Sequence, residues 1–316
     1  MYERTFQYRV AVSSASLPVA LALTAMAWLP GDWTDWRRWA GLAAVVVMAY
    51  FVALWNNVHM LLRIRSRLVS STFLLLVAAC PFLHRWSTDW VPAACAIGVY
   101  YCLFRAYQKS HPEPDVFHAF VFLGVGSFFF PQWLCFVPVL WGALLVRLRA
   151  FTSRSFVASL LGLVLAYWAF VAYAAWHNRL DTAFGFWLDA WAVGLPDYGA
   201  CPLPCAVSFA FVSFYLAVSA VHFSRTAFYD RIRVRMYYRL LITQAVLLGV
   251  AIVAQPRHFG VAFPLYVVTA SPVVGHYFAL ARGRFMNVWF IASLLLLGGL
   301  YVFNLVAPWT PLSTYW

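Results

Sequence analysis

"LWNNVHMLLRIRSRLVSS", residues 54–71, sets Arg63, Arg65 and Arg67 within five positions between two long apolar runs. The chain is 64% hydrophobic and 10% charged, so the placement of charge carries information. Three arginines between apolar runs read as a turn at a membrane surface, with a crossing helix on either side. The same rhythm repeats in both directions. Apolar runs approaching the roughly 20 residues that a ~30 Å hydrocarbon core requires fall near 10–29, 39–60, 68–84, 90–106, 116–130, 131–147, 155–176, 206–223, 240–254, 259–281 and 285–307, which predicts eleven spans. A mean hydropathy of +0.77 agrees with a chain whose solvent is mostly lipid.

Backbone groups in hydrocarbon must pair internally, and continuous apolar runs without strict alternation select helices over a barrel. The expected fold is therefore an all-α, polytopic transmembrane bundle forming one domain over residues 1–316. The two short runs within 116–147 meet at "FFFPQW" with no polar loop and read as a short hairpin. The longest outer connection, 177–205, places Phe184, Trp187, Leu188 and Trp191 on one face at helical spacing, the pattern of an amphipathic helix lying in the headgroup layer. The first residues lack the basic start, short apolar core and small-residue site of a cleaved signal peptide.

With the N-terminus inside and the C-terminus outside, 17 of the 22 Lys and Arg residues fall in inner segments and 5 in outer ones. That asymmetry is the one expected of cytoplasmic loops. A formal charge of +12 is explained by orientation and anionic headgroups, not by nucleic acid, because the arginines sit in short loops between spans.

Little else announces chemistry. His59, His118, His222 and His276 are singletons near inner span ends, with no metal-ligand spacing, so neither a metal nor another cofactor is expected. No Asp or Glu falls inside a predicted span, which argues against a proton-coupled pump. Cys201 and Cys205, in the outer "CPLPC", leave a disulfide and two free thiols equally open.

Two polar regions remain. The first joins Asn57, Arg63, Arg65 and Arg67 to Arg231, Arg233 and Arg235 of "SRTAFYDRIRVRMYYR", residues 224–239. Guanidinium forks bind phosphate oxygens bidentately, so these residues are candidates for a lipid-linked phosphate; they also anchor topology. The second is "LPGDWTDWRRW", residues 29–39, where Asp32 or Asp35 could serve as a general base beside Arg37 and Arg38.

Two longer stretches carry a resemblance. "NNVHMLLRIRSRLVSSTFLLLVAACPF" and the region from Phe117 to Trp168, with Asn57, Arg65, Ser66, the "GVGS" of Gly124 to Ser127, Arg149, Phe151, Arg154 and Gly162, resemble an uncharacterised family of multi-pass inner-membrane proteins of Gram-negative bacteria. That likeness implies class and location, without an assigned activity. An acid-bearing first outer loop, an arginine-rich turn before the third span and a glycine-containing hairpin followed by a basic turn look like the polytopic glycosyltransferases that use polyprenyl-phosphate sugars. In that group an outer-loop acid is the base, a role that would fall here on Asp32 or Asp35.

The expectation is a bacterial inner-membrane protein that binds or processes a polyprenyl-phosphate-linked envelope intermediate, with membrane lipids as its partners. A structural subunit packing on a partner membrane protein through small-residue faces such as Gly298 and Gly299, and a transporter of lipids or small molecules, are the alternatives.

Overall fold

A computed structural model describes residues 5–180, 185, 198, 201–283 and 285–307. Among these, the regular elements are twelve α-helices joined by turns and short 3-10 segments. They are α1 (Phe6–Val12), α2 (Ser16–Trp28), α3 (Trp36–His59), α4 (Leu68–Ala78), α5 (Trp90–Arg105), α6 (Glu113–Ser127), α7 (Val137–Val146), α8 (Ser153–Trp176), α9 (Leu203–Thr226), α10 (Ile232–Ala254), α11 (Phe259–Leu280) and α12 (Met286–Val306).

Local chemistry sets several boundaries. Asp35 caps α3 by accepting from the Arg37 N–H, and α3 ends where Met60 turns left-handed at φ 50°. Thr152 and Ser155 form a reciprocal capping box at the start of α8. The serine-containing link between α1 and α2 bends the chain by 97°.

Six helices are long and apolar enough to cross a membrane: Trp36–His59, Ser153–Trp176, Leu203–Tyr229, Ile232–Ala254, Pro256–Leu280 and Met286–Val306. The bent pair α1 and α2 makes a seventh if it is one span. The chain is thus an all-helical, multi-pass membrane protein. Each of the eleven predicted runs meets a helix, but several helices are too short to cross by themselves. α4 has 11 residues, about 16 Å. It stops three residues before Pro81, which opens a 3-10 turn inside the predicted 68–84 run. Pro131 likewise opens a 3-10 segment inside the predicted hairpin, leaving α7 with 10 residues. The amphipathic segment read into 177–205 lies largely outside the described residues.

The chain divides into two compact units, Met1–Ser87 with Asp197–Trp316 and Thr88–Pro196. In the first, α11 is the axis. Every residue from Ala262 to Leu280 is buried, and α11 packs on α4, α9 and α10. Gly275 permits the approach to α4, since a Cβ there would lie 2.9 Å from Val69 Cα. In the second unit, α6 packs on both α5 and α8. Gly162 lets α8 reach the Phe117 carbonyl, 2.5 Å from where a Cβ would stand, so small residues bring these backbones together.

The first unit has two distinct ends. One gathers residues 56–67, 227–235 and 276–287, tied together through Asp230, Arg63 and His276, and the Gln7 amide of α1 joins it by donating to Phe278 O at 2.7 Å and Ala281 O at 3.0 Å. The other gathers residues 27–38, 79–86 and 301–304, where Tyr301 donates to Ala27 O and Asn304 donates to Ala79 O.

Candidate functional site

At the arginine-rich end of the first unit, a 3-10 turn over Ala227–Tyr229 follows α9 and delivers Asp230 into the bundle. Its backbone N–H donates to Ala227 O at 2.9 Å, fixing the turn. The carboxylate is buried to 1% side-chain exposure and meets two partners. Arg63 Nε approaches Oδ1 at 2.8 Å, and His276 Nε2 approaches Oδ2 at 3.1 Å. The second contact is a hydrogen bond when the imidazole carries its hydrogen on Nε2. Aromatic rings hold the histidine: Tyr238 lies 4.5 Å and Phe223 5.4 Å away between ring centroids. Arg63 keeps 35% of its side chain exposed and lays its guanidinium over the Tyr229 ring at 5.5 Å. This cluster draws on a loop, a turn and α11. Removing an unpaired carboxylate from water costs several kcal/mol, so pairing is what makes the burial of Asp230 tolerable.

More polar atoms sit on the neighbouring helices. Ser219 Oγ and His222 Nδ1 on α9, and Arg235 Nε and Tyr238 OH on α10, are buried without a hydrogen-bond partner among the described residues. Such concentration of polarity inside a membrane bundle marks a functional region more often than a packing one.

The predicted arginine layer is partly assembled here. Arg63 belongs to the cluster, and Arg231 reaches back to Met60, its Nη1 lying 4.0 Å from Sδ, so the two arginine-bearing loops meet. Arg233 and Arg235 are half-buried; Arg65 and Arg67 are exposed. Arg67 contributes its carbonyl to α4, accepting from the Ser70 and Ser71 hydroxyls. Asn57 is exposed, whereas its neighbour Asn56 is buried and donates to Ser66 O at 3.0 Å, closing the loop.

An apolar pocket of about 330 Å³ opens in the same unit, between α1, α2, α4, α9, α11 and α12. On α4 its wall starts at Leu68, the residue after Arg67, and continues through Ser71, Thr72 and Leu75 to Leu76. That wall is about 12 Å long. Its volume lies within the range of small-ligand sites.

The opposite end looks different. Asp32 accepts from the Thr34 hydroxyl at 2.7 Å and the Thr34 N–H at 3.0 Å, and these bonds lower its pKa. Asp35 caps α3 and pairs with Arg85 at 2.6 Å. Partial desolvation pushes its pKa up, but the Arg37 N–H and Arg85 outweigh this and leave it lowered. Arg38 is committed as well, donating to the Trp28 and Pro30 carbonyls at 2.8 and 2.7 Å. The cavity beside Asp32 measures about 10 Å³. His84 stacks on Trp28 at 3.5 Å between centroids, and burial pushes its pKa down to about 3. Cys201 and Cys205 are both free thiols, and burial raises the Cys201 pKa.

Two residues of the cluster, Asp230 and His276, escaped the sequence reading. The acid had a faint signal, standing alone among the five arginines of residues 224–239. The histidine had none beyond its place in an apolar run. Among the described residues no group of His, Cys, Asp and Glu has metal-binding geometry. Gly298 and Gly299 face open space. No protein-family model, no curated protein and no solved structure matches the chain.

Proposed function

We propose that this protein is a bacterial inner-membrane binder of a phosphate-bearing lipid, of which polyprenyl-phosphate conjugates of the cell envelope are the favoured class. In this reading the arginine-rich end faces the cytoplasm, with the N-terminus inside and the C-terminus outside, as the distribution of Lys and Arg favours. The reading rests on one observation. The apolar pocket takes its α4 wall from Leu68 onward, the residue after Arg67, and in this reading a hydrocarbon chain in the pocket turns its head toward the Arg63–Arg67 turn. The opposing loop supports a structural role more than acid-base catalysis. Asp32 and Asp35 are engaged in capping and pairing, and a carboxylate with a lowered pKa is a weaker base.

The test is mass spectrometry of lipids retained in native nanodiscs. Wild-type protein should enrich a polyprenyl-phosphate species over bulk phospholipid. An Arg63, Arg65, Arg67 triple-alanine variant and a pocket-filling Ser71→Trp variant should each lose that enrichment. Bulk phospholipid alone in all three samples would overturn the proposal.

A further inference from the structure

We infer that Asp230 and His276 are positioning residues that aim the Arg63 guanidinium at an anionic phosphate oxygen. The inference rests on the phosphate-lipid reading and names the machinery behind it. Arg63 touches Asp230 most closely through Nε, at 2.8 Å. Oδ1 has no hydrogen-bond partner among the described residues, so the pair is a close ion pair and the guanidinium's N–H donors are not spent on that oxygen. With a third of its side chain still exposed, Arg63 spans the boundary between the buried carboxylate and the outside of the bundle.

An arginine on a loop is otherwise a poor binding group, because each ligand contact must first offset the rotamer freedom it removes. Here that freedom is already restricted from two directions, by the carboxylate at Nε and by the Tyr229 ring at 5.5 Å. The carboxylate is restricted in turn. Its turn is closed by the Ala227 carbonyl, and Oδ2 is held by His276 at 3.1 Å. His276 itself is wedged between Tyr238 and Phe223. The chain of support therefore runs from the axis helix α11 through the turn after α9 to the arginine. A purely structural tie between loop and bundle would need neither a histidine behind the acid nor an arginine left partly outside. An apolar contact of similar volume is often as stabilising as a buried ion pair.

The experiment uses the full-length protein in phosphatidylcholine nanodiscs doped with either undecaprenyl phosphate or undecaprenol, and reads bound lipid by native mass spectrometry. Wild-type protein should retain the phosphate about tenfold or more over the alcohol, and Arg63→Ala should abolish the preference. Asp230→Asn and His276→Phe should each weaken it about three- to tenfold. His276→Gln, which restores an N–H donor near the Nε2 position, should recover most of it. Neither Asp230→Asn nor His276→Phe should have further effect in the Arg63→Ala background. Thermal unfolding of each variant in the same nanodiscs confirms that folded protein is compared.

Equal retention of phosphate and alcohol by the wild type would overturn both the reading and the inference. A phosphate preference that needs Arg63 but survives Asp230→Asn and His276→Phe would overturn the inference alone. So would losses that add to that of Arg63→Ala.

Discussion

The two ends of the first unit solve the same problem, an acid beside an arginine, in opposite ways. Asp35 and Arg85 pair at 2.6 Å with 15% and 65% of their side chains exposed, while Asp230 and Arg63 pair at 2.8 Å with 1% and 35% exposed. Distance does not separate these pairs. Burial does. At the more exposed end, water reaches the arginine and part of the acid, and the acid is useful mainly as a helix cap. At the buried end, every partner removed leaves a charge stranded.

The largest expected effect follows from that asymmetry. Asp230→Ala leaves Arg63 and His276 facing an apolar gap and should destabilise the protein by about 3–5 kcal/mol. Thermal or denaturant unfolding in lipid nanodiscs measures it. A variant as stable as the wild type would mean that water reaches this cluster and that the contrast between the ends is illusory.

The opposite end should be vulnerable through shape instead of charge. A Cβ at Gly41 would overlap the His84 carbonyl, which is backbone and cannot swing aside. Gly41→Ala should therefore cost about 1–3 kcal/mol by overpacking. Gly298→Ala, on a helix face with nothing within 4 Å, is the matched control. It should be neutral or slightly stabilising, because alanine favours helix over glycine. A similar loss from both would place the cost in lipid contact, not in packing against residue 84.

A pH effect should also belong to that end. Burial lowers the His84 pKa to about 3, while an unfolded histidine titrates near its ordinary value of 6.5. The unfolded chain therefore binds the extra proton first. The stability that His84 contributes is fully present above about pH 6.5 and is lost progressively as pH falls toward 3. By linkage the loss at pH 5 is about 2 kcal/mol relative to neutral pH. His84→Phe should flatten this part of the profile in unfolding experiments between pH 7 and 5. An unchanged slope would assign the acid sensitivity to another group.

These contrasts were unevenly legible in the sequence. Apolar runs located every helix that the structure uses for its spans, because burial in lipid or protein demands the same residue types. Length was harder to read. Hydropathy passes straight through Pro81 and Pro131, since proline is not polar, yet the chain breaks at both. The division into two units left no trace in composition. Arg63 and Arg231 stood out because charge is scarce. Asp230 and His276 did not, being 46 residues apart and joined only by the packing of α11 against the turn after α9. The rule that carboxylates inside spans mark function missed an acid placed just past a span end and folded back into the bundle.

The smallest expected effect separates the two roles of Asp35. Its carboxylate both caps α3 and pairs with Arg85, and side-chain variants can divide these tasks. Asp35→Ser keeps a capping oxygen and removes the charge, whereas Asp35→Ala removes both. If capping dominates at this exposed end, Asp35→Ser should unfold at nearly the wild-type temperature. Asp35→Ala should unfold lower, though by less than either Asp230→Ala or Gly41→Ala. Arg85→Ala should then be nearly silent, and raising the salt concentration should leave the wild-type midpoint almost unmoved, as expected of a solvated pair. A serine variant as weak as the alanine one, together with a salt-sensitive midpoint, would show that charge governs both ends. Burial would then change only the magnitude of one mechanism.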